Sequence, residues 1–407
     1  MRILFIGGEG NSIDANSVCI RNMTHELINQ GHVVYILAMG TYTKEMQEML
    51  DGAFLYEYPM DLFRRITLYY NKNKDRFLLS LFYRAVCMLR HFILLFFYPN
   101  TSPIRAKKLS RRAFRIVEDN HIDTIVSIYC PYDNIYSGIY LKQRLGDRIR
   151  VISYHLDLRT GSASQSHLVR SFIHKHALSS LIHEFNVVDK VLIPYSGQKD
   201  IEGLNYSRKD KIQFVGFPVY INEPATKECS LPFTKDIINI SYIGTLYPGN
   251  REPNYFLSLC EKVSKHINIR VHFWGIIDNY ISVIDSYDFA EYHGLIDNCY
   301  VSFIMKNSDF LLNIGNKLAY DMLPSKVFGL FATGKPIINM VTHPLDATRP
   351  YFNRYDNSLD ILEYELNEDS ARDLEEYLIS HLNAPLKDSR DLFDDFKPER
   401  FVQLLLY

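Results

Sequence analysis

Residues 2–12 of the chain, RILFIGGEGNS, join a short apolar run to a glycine-rich turn. A short apolar run that ends in a turn is typical of a strand buried on both faces of a parallel sheet. The sequence predicts this strand over Arg2–Gly7. It predicts that the next helix begins near Ala15 and ends at Gly31, because glycine fits the left-handed position that terminates many helices. Strand, turn and helix in this order open an α/β domain.

The same alternation continues to about residue 214, and it resumes after a turn-rich stretch, residues 215–232. We therefore predict an α/β protein with two Rossmann-like domains in tandem. The domains are expected to span residues 1–215 and 216–385, and residues 386–407 to contain a C-terminal helix able to pack back on the first domain. The other strands are expected at Val33–Ala38, Thr124–Ile128, Arg150–Tyr154, Val191–Pro194, Ile237–Ile243, Ile269–Phe273, Phe310–Asn313 and Pro336–Met340, and the helices of the second domain at Asn254–His266, Ser325–Thr333 and Asp369–Leu382.

Composition excludes several classes of protein. The chain has 407 residues, 47% of them hydrophobic and 23% charged, which is not the composition of a disordered or fibrous protein. Its formal net charge of -2 gives no reason to expect a nucleic acid partner. The six cysteines contain no C-x-x-C pair, which argues against a disulfide scaffold and favours a reducing cytoplasm. The first apolar run is too short for a signal peptide.

Basic charge is concentrated in residues 62–115, where 13 basic residues and many aromatic ones accompany one acidic residue, Asp75. An anionic membrane surface attracts such a segment, because Lys and Arg contact lipid phosphates and aromatic rings bury at the interface. The alternative is a pair of amphipathic helices that pack their aromatic residues into the core and leave Lys and Arg in solvent. The most apolar part, Phe77–Tyr98, contains two arginines and a histidine, so we do not expect it to span a membrane.

Two common nucleotide motifs are absent from the sequence. Residues 7–12 do not match G-x-G-x-x-G, and the second strand ends without the acidic residue that holds a ribose in dinucleotide-binding domains. No G-x-x-x-x-G-K-[ST] sequence occurs, which excludes a P-loop NTPase on motif grounds. The turn around Gly8 still lets the backbone approach a ligand at a helix N-terminus, so Gly8 is a candidate binding residue.

His155 and Asp157 follow the strand expected at Arg150–Tyr154. Ligands in open α/β sheets collect at the carboxyl ends of strands, so both residues are candidates for catalysis. The alternative is a histidine that caps the strand and an aspartate that caps a helix. Grouping them with the later histidines of this region gives no convincing ligand spacing, and we expect no metal.

Two segments of the second half are suited to bind anions. Residues 243–251, IGTLYPGNR, follow a strand and offer backbone N–H groups, a hydroxyl and the guanidinium of Arg251. Residues 321–336, DMLPSKVFGLFATGKP, open a helix at Pro324 and Ser325 with Lys326 on its first turn. Two anion sites in one domain suggest a diphosphate. Each segment alone also fits a plain helix cap and solvated charges.

These segments resemble the nucleotide-sugar domain of GT-B glycosyltransferases, in particular the retaining family 4 enzymes of bacterial surface-polysaccharide assembly. The resemblance implies two domains that face a cleft, an N-terminal acceptor domain and a C-terminal donor domain. It rests on GTLY at 244–247 with Arg251, FWG at 273–275, HGL at 293–295, and residues 324–336.

The resemblance also implies roles for single residues. Arg251 and Lys326 would neutralise the donor diphosphate, and the loops at 274–275 and 293–295 would border the base. The family has two glutamates eight residues apart, where this chain has Asp321, a shortened carboxylate near the donor sugar, and Gly329, which lacks the ribose ligand. The donor-binding residues implied are Gly8, Gly244, Thr245, Arg251, Trp274, Gly275, His293, Gly294, Leu295, Pro324, Ser325 and Lys326.

We therefore expect an enzyme that transfers a sugar from a nucleotide-diphosphate donor to a polyprenyl-linked saccharide acceptor in capsule, exopolysaccharide or O-antigen synthesis. Retention, with no metal or other cofactor, is what the family implies, and His155, Asp157 and Asp321 are the candidate catalytic residues. The enzyme is expected in the cytoplasm, peripheral at the inner face of the cell membrane. The alternatives are a GT-B-like protein without transfer activity, or a phosphorylase or epimerase of the same fold.

Overall fold

A computed structural model of the chain describes residues 1–8, 15–40, 46–73, 76–97, 102–129, 131–156, 167–202, 209–219, 227–318, 320–321 and 323–407. The chain divides into two compact units. Unit 1 comprises Met1–Tyr220 and Asp395–Tyr407, and unit 2 comprises Ile221–Asp394.

In the described part of unit 1, eight strands form one sheet, which is parallel except for the pairing of its first edge strand. In chain order the strands are β1 (Arg2–Ile6), β2 (Val33–Met39), β3 (Met46–Leu50), β4 (Ala53–Tyr58), β5 (Thr124–Tyr129), β6 (Arg150–His155), β7 (Lys190–Pro194) and β8 (Ile212–Val215). Their order in space is β3-β4-β2-β1-β5-β6-β7-β8.

The helices of unit 1 include long ones that cover the sheet. They are α1 (Ala15–Asn29), α2 (Leu62–Asn71), α3 (Phe77–Phe97), α4 (Pro103–Asn120), α5 (Tyr132–Leu145), α6 (His167–Val187) and α7 (Gln198–Glu202).

In the described part of unit 2, six parallel strands form the sheet in the spatial order β11-β10-β9-β12-β13-β14, where the strands are β9 (Ile238–Ile243), β10 (Ile269–Trp274), β11 (Ala290–Tyr292), β12 (Phe310–Ile314), β13 (Ile337–Val341) and β14 (Ser358–Leu362). The helices are α8 (Asn254–Val263), α9 (Ile281–Ile284), α10 (Asn298–Asn307), α11 (Lys326–Ala332), α12 (Arg349–Phe352) and α13 (Ser370–His381), and α14 (Pro398–Leu406) belongs to unit 1.

Alternate side chains of the unit 1 strands enter two separate cores, as the pleat of a strand requires. Leu4 and Ile6 of β1 pack with residues of α4, α5 and α6 on one face of the sheet. Ile3 and Phe5 pack with α1 and α14 on the other face. The α/β class with two parallel-sheet domains is therefore confirmed.

The expected strands are found with ends within one residue of the prediction, but five strands were not predicted: β3, β4, β8, β11 and β14. The three helices expected in unit 2 are each slightly shorter than predicted. The helix expected over Asn254–His266 ends at Val263, the helix expected over Ser325–Thr333 spans Lys326–Ala332, and the helix expected over Asp369–Leu382 spans Ser370–His381. α1 ends at Asn29, and Gly31 follows in the left-handed conformation with φ of +81°.

The basic segment at 62–115 is built from α2, α3 and α4, and these helices differ in burial. α4 begins at the Ser102 cap and Pro103, and it buries an apolar stripe that includes Leu109, Ala113 and Ile116. No residue of α2 is buried, and no described side chain of α3 is buried either. The interpretation that these aromatic residues pack into the core is therefore wrong for the described side chains of α2 and α3. Among the described helices, none is long and apolar enough to cross a membrane.

Candidate functional site

In the sheet of unit 2, the direction in which successive strands are added reverses between β9 and β12. From β9 the chain continues to β10 and β11 on one side, and it then crosses to β12, β13 and β14 on the other. In open α/β sheets, ligands bind at the carboxyl ends of the strands beside such a switch point. The loops after β9, β12 and β13 therefore form the candidate site of unit 2.

Arg251 lies in the loop after β9, and hydrogen bonds fix its guanidinium. Nη1 donates to the carbonyl oxygen of Thr245 at 3.1 Å, and Nη2 donates to Oδ1 of Asn316 at 2.7 Å. Asn316 follows β12, so this bond joins the two loops at the switch point. The buried Nε has no hydrogen-bond partner in the described part of the chain. One donor of a rigidly held cation is thus left for a ligand.

Lys326 is the first residue of α11, and its ammonium nitrogen is buried. No described residue accepts a hydrogen bond from Nζ, which lies 4.8 Å from the ring centroid of Tyr242. Contact with the ring face gives some cation–π stabilisation. Burial lowers the pKa of Lys326 well below its ordinary value, the charge of Arg251 lowers it further, and Asp346 partly offsets both effects. The site therefore holds a cation that lacks a full counter-charge.

Asp346, in the loop after β13, is the carboxylate of this cluster. Its Oδ1 accepts hydrogen bonds from N and Oγ1 of Thr348 at 2.9 and 2.7 Å. Burial raises the pKa of Asp346, and the bonds from Thr348 lower it in part. A Cβ at Gly315 would lie 2.6 Å from Oδ2 of Asp346, so only glycine lets the loop after β12 approach this carboxylate.

Four predicted residues lie on or before α11. Ser325 occupies the N-cap position with φ of -58° and ψ of -27°, but its side chain makes no capping hydrogen bond. Pro324 precedes it and accepts a hydrogen bond from the N–H of Val327 at 3.0 Å. Asp321 is exposed. Its expected partner position, Gly329, has open space around it, because an added Cβ would meet nothing nearer than Cε of Met305 at 3.7 Å.

The predicted base-binding residues lie at the ends of β10 and β11. Trp274 stacks on His293 with ring centroids 4.7 Å apart, and both stack on His272. Burial is the main cause that lowers the pKa of His272 to about 3, and burial also lowers the pKa of His293. Both histidines are therefore neutral at pH 7, and the stack is uncharged.

Glycines bring the ends of β9, β10 and β11 close together. The N–H of Gly244 donates to the carbonyl of Trp274 at 3.0 Å, and the N–H of Gly275 donates to the carbonyl of Gly294 at 2.9 Å. A Cβ at Gly275, whose φ is +121°, would lie 2.0 Å from the carbonyl oxygen of Gly244. Only glycine is compatible with this contact, so the predicted residues of the three loops are brought to one edge of the sheet.

A cavity of about 510 Å³ opens beside these loops. Its lining includes Trp274, the exposed Leu295, Tyr300 of α10 and the segment at 229–232. Trp274 is only 4% exposed, so it contributes little accessible surface to the cavity. The cavity adds Tyr300 and residues 229–232 to those that the sequence suggested.

One group of metal-ligand type is present among the described residues. His272, Glu291 and His293 place ligand atoms within 4.8 Å of one another. These atoms already have partners: Nδ1 of His272 and Nε2 of His293 are hydrogen-bonded at 2.9 Å, and Glu291 is paired with Arg270. We interpret these residues as polar side chains that hold the Trp274 stack in place.

In unit 1, His155 is fully buried at the end of β6. Its Nε2 is 2.7 Å from Oε1 of Glu184 on α6, which is also fully buried, and its ring stacks on Tyr129. Nδ1 has no partner in the described part of the chain. Gly8 lies at the β1–α1 turn with φ of +76°, and an added Cβ would be 3.1 Å from Oγ of Ser17. The predicted Asp157 lies outside the described residues.

The sequence missed several partners of the residues it identified. Asn316 holds Arg251, Tyr242 lies against Lys326, Asp346 completes that cluster, and Glu184 pairs with His155. Each partner is far from its residue in the sequence, and none belongs to a motif with fixed spacing. Of these partners, only Asn316 could have been predicted, because it lies just after a strand at the switch point, where ligands of open α/β sheets bind.

A scan against protein-family models and a search of curated proteins find no match. Among solved structures, similar chains include a sucrose-phosphate synthase from Thermosynechococcus elongatus, with TM-score 0.60 and 11% identity over 99% of this chain and 94% of that one. The catalytic domain of starch synthase IV from Arabidopsis thaliana, bound to ADP and acarbose, matches with TM-score 0.58 and 8% identity over 99% and 98%. An apo lipopolysaccharide outer core galactosyltransferase matches with TM-score 0.54 and 13% identity over 100% and 99%. The chain has the GT-B fold of these glycosyltransferases.

Proposed function

We propose that the chain is a glycosyltransferase that moves a sugar from a nucleotide-diphosphate donor to a hydroxyl of a lipid-linked saccharide acceptor. The observation that carries the proposal is the pair of cations at the switch point of unit 2. Arg251 and Lys326 each bury a nitrogen for which no described residue accepts a hydrogen bond. A buried cation without a counter-charge is costly, and a diphosphate would supply the missing charge and acceptors.

The neighbouring loops support a nucleoside on that diphosphate. Trp274, which stacks on His272 and His293, lines the cavity of about 510 Å³, and this cavity would take the base. The loops after β9 and β10 run side by side, since the N–H of Leu246 donates to the carbonyl of Ile276 at 3.0 Å. The base and diphosphate subsites would therefore be adjacent.

The proposed transfer breaks the bond between the anomeric carbon and the donor phosphate oxygen and forms a bond from that carbon to the acceptor oxygen. Negative charge builds on the leaving diphosphate, where Arg251 and Lys326 stabilise it. The acceptor proton passes to the leaving phosphate. Front-face attack with retention is the outcome that the family resemblance favours, and two protein cations would make a metal unnecessary.

The roles of the carboxylates and of His155 are part of this proposal. Asp321, which is exposed near α11, would contact the donor sugar. His155 would act through Nδ1, because Nε2 is occupied by Glu184 at 2.7 Å. Asp157 would orient hydroxyl groups beside it. An unchanged turnover in both His155→Ala and Asp157→Ala would remove this assignment.

The proposed acceptor is a polyprenyl-linked saccharide of capsule, exopolysaccharide or O-antigen synthesis, used at the cytoplasmic face of the membrane. The supporting observation is α3, which leaves large apolar side chains in solvent, among them Leu78 at 81% exposure and Phe77 at 75%. An amphipathic surface of this kind suits a peripheral membrane protein.

Thermal unfolding with UDP, GDP, CDP, ADP and dTDP tests the donor site. A ligand that binds only the folded protein, at about 100 times its Kd, stabilises it by about 2.7 kcal/mol. We expect one of these nucleotides to raise Tm in the wild type. The Arg251→Ala variant should lose the response, with affinity reduced about 100-fold, because charge-assisted hydrogen bonds to the diphosphate are lost.

The matched control is Arg354→Ala, which removes an exposed arginine from the same unit. Its response should equal that of the wild type. If no nucleoside diphosphate raises Tm, or if Arg251→Ala responds fully, the donor site is not where we place it. Release of nucleoside diphosphate from the matching sugar nucleotide, dependent on an acceptor, then separates transfer from binding alone.

A further inference from the structure

A second basic site lies in unit 1, between α2, α4 and the loop that follows β4. A cavity of about 740 Å³ opens there. Six cationic side chains line it and one carboxylate, Asp61, faces them. The cations are Arg65, Arg105, Lys108, Arg111, Arg112 and Arg115.

One of these cations is neutralised by the protein. Nη1 of Arg105 lies 3.4 Å from Asp61, and its Nε lies 3.6 Å from Asp133 and donates to the hydroxyl of Tyr58 at 3.0 Å. Asp61 is further engaged, since it accepts the N–H of Arg64 at 2.7 Å as the cap of α2. The carboxylates at this cavity are thus already committed to Arg105 and to a helix end.

Four other cations of the cavity have no such partner. In the part of the chain that the structure describes, no carboxylate lies within 4.0 Å of the side-chain nitrogens of Arg65, Lys108, Arg111 or Arg115. Arg65 lies on α2 and the other three lie on α4, so the two helices concentrate positive charge at one opening. Like charges four residues apart on a helix destabilise it. Arg111 and Arg115 have this spacing. An anion in the cavity would remove the repulsion.

The core fixes the helix that carries three of these cations. α4 buries Leu109, Ala113 and Ile116, so its opposite side presents Lys108, Arg111 and Arg115. These side chains are exposed, but one packed helix holds their backbone positions. The positive charge is therefore gathered at this opening before any ligand arrives.

Apolar side chains surround this basic opening. Leu62 and Ile104 line the cavity, and each is 72% exposed. α3 packs on α2 through Tyr83, whose ring stacks on Tyr70 with centroids 4.2 Å apart. Among the described side chains of α3, those of Leu78, Leu81, Phe82, Met88 and Leu89 are each more than half accessible.

We propose that the α2–α4 cavity binds the phosphate or diphosphate headgroup of a membrane lipid, with the apolar side of α3 lying in the membrane interface. Charge complementarity selects a phosphate group, and the exposed apolar rim selects a lipid over a phosphate ion in solution. The inference rests on the proposed function, which supplies the candidate lipid, a polyprenyl diphosphate that carries the acceptor sugar. It assigns the headgroup to residues separate from the donor site.

Co-sedimentation of the full chain with vesicles tests the inference. The vesicles contain phosphatidylcholine alone, phosphatidylcholine with phosphatidylglycerol, or phosphatidylcholine with a polyprenyl diphosphate. Binding is expected to the two anionic kinds, to be strongest to the diphosphate lipid, and to fall with salt. Arg111→Ala/Arg115→Ala should bind them roughly 30-fold more weakly, from a loss of about 1 kcal/mol for each cation.

The matched control is Lys262→Ala/Lys265→Ala, which removes the same charge from an exposed part of unit 2. It should bind vesicles as the wild type does. Equal binding by both double variants and the wild type would show that the cavity is not the lipid site. Arg111 and Arg115 are exposed, so their replacement leaves the core of unit 1 intact.

A second variant separates a lipid from a free anion or another copy of the chain. Leu78→Ser/Phe82→Ser, compared with its parent in an Arg251→Ala background that removes the diphosphate response of the donor site, should weaken vesicle binding and leave protection against thermal unfolding by inorganic pyrophosphate unchanged. Pyrophosphate protection without any vesicle binding would overturn the lipid assignment. A dimer that this variant dissociates would do the same, and so would retention of a short RNA that competes with the vesicles.

The nucleotide response of Tm is measured on every variant. A variant that keeps this response but loses vesicle binding supports the inference. A wild type that responds to nucleotides but binds no anionic vesicle refutes the inference and leaves the donor site standing. The reverse result, vesicle binding without any nucleotide response, refutes the proposed donor site instead.

Discussion

His155 in unit 1 and Lys326 in unit 2 are both ionisable residues at the carboxyl edge of a parallel sheet, and their surroundings differ. Nε2 of His155 lies 2.7 Å from Oε1 of Glu184 with both side chains fully buried. Nζ of Lys326 is buried against the ring of Tyr242, and no described residue accepts its hydrogen bond. His155 therefore has a carboxylate partner within the protein, although its Nδ1 has no described partner, whereas no described residue accepts a hydrogen bond from Nζ of Lys326.

The difference teaches which buried charges indicate a ligand. A paired buried charge is retained because breaking the pair is costly. An unpaired one lowers stability and persists only where another requirement maintains it, which under the proposed function would be the binding of the donor diphosphate. Substitutions at the two positions should therefore change stability in opposite directions.

Breaking the buried pair should have the largest effect. Glu184→Ala leaves His155 without its partner and opens a cavity, and we expect a loss of about 3–5 kcal/mol in the free energy of unfolding. Urea unfolding followed by far-ultraviolet circular dichroism measures it. The control is Glu118→Ala, which breaks the exposed pair with Arg148 at 2.7 Å and should cost less than about 1 kcal/mol. Equal losses in the two variants would contradict the distinction.

Removing the unpaired cation should have a smaller effect of opposite sign. Lys326→Met keeps the length of the side chain and removes the buried ammonium, so the ligand-free protein should gain roughly 1–3 kcal/mol and lose its response to nucleoside diphosphates. The fluorescence of Trp274, the single tryptophan of the sequence, follows the unfolding of unit 2. Lys262→Met, at an exposed position, is the control and should change neither property.

The pH dependence of this gain follows from the lowered pKa of Lys326. Between that pKa and the ordinary value, the unfolded chain binds more protons than the folded one, so the wild type becomes more stable as pH rises. The advantage of Lys326→Met should therefore be largest at low pH and disappear near the ordinary lysine pKa, about 10.4. An advantage that is constant with pH would mean that the buried charge is not its cause.

The fold could largely be predicted from the sequence because buried parallel strands are continuous apolar runs. Four of the five missed strands, β3, β8, β11 and β14, lie at the edge of a sheet. Edge strands can carry polar residues, such as Asp360 in β14, and so lack the apolar run on which the prediction depends. β4 does contain an apolar run, residues 53–56, but Asp51 and Gly52 join it to β3 in a short hairpin that the prediction did not recognise.

The site could be predicted only in part. The sequence identifies Arg251 and Lys326, because Arg251 lies in the loop after a predicted strand and Lys326 lies on the first turn of a predicted helix. Their partners come from other loops: Asn316 is 65 residues from Arg251 and Glu184 is 29 residues from His155. Only the sheet order brings these residues together. Whether a cation is paired, which is the informative property here, therefore requires coordinates.

A carboxylate added at Gly329 would test the environment of unit 2 further, and its effect on stability should be the smallest of those predicted. Gly329 lies within α11 beside a cavity of about 230 Å³, and an added side chain meets open space there. Both Gly329→Ala and Gly329→Glu should raise stability by roughly 0.5–1 kcal/mol, since glycine is unfavourable inside a helix.

The two variants should differ in nucleotide affinity. Only Gly329→Glu supplies the carboxylate that the sequence resemblance to family 4 glycosyltransferases implies for the ribose, so under the proposed function it should bind the preferred nucleoside diphosphate about 5-fold more tightly than Gly329→Ala, the contribution of one hydrogen bond. A 2′,3′-dideoxy nucleoside diphosphate, which lacks the ribose hydroxyls, should show no such difference and serves as the control. Equal affinity of both variants for the ribonucleotide would mean that the ribose does not reach this side of α11, and the position of the nucleoside would then have to be inferred from the Trp274 cavity alone.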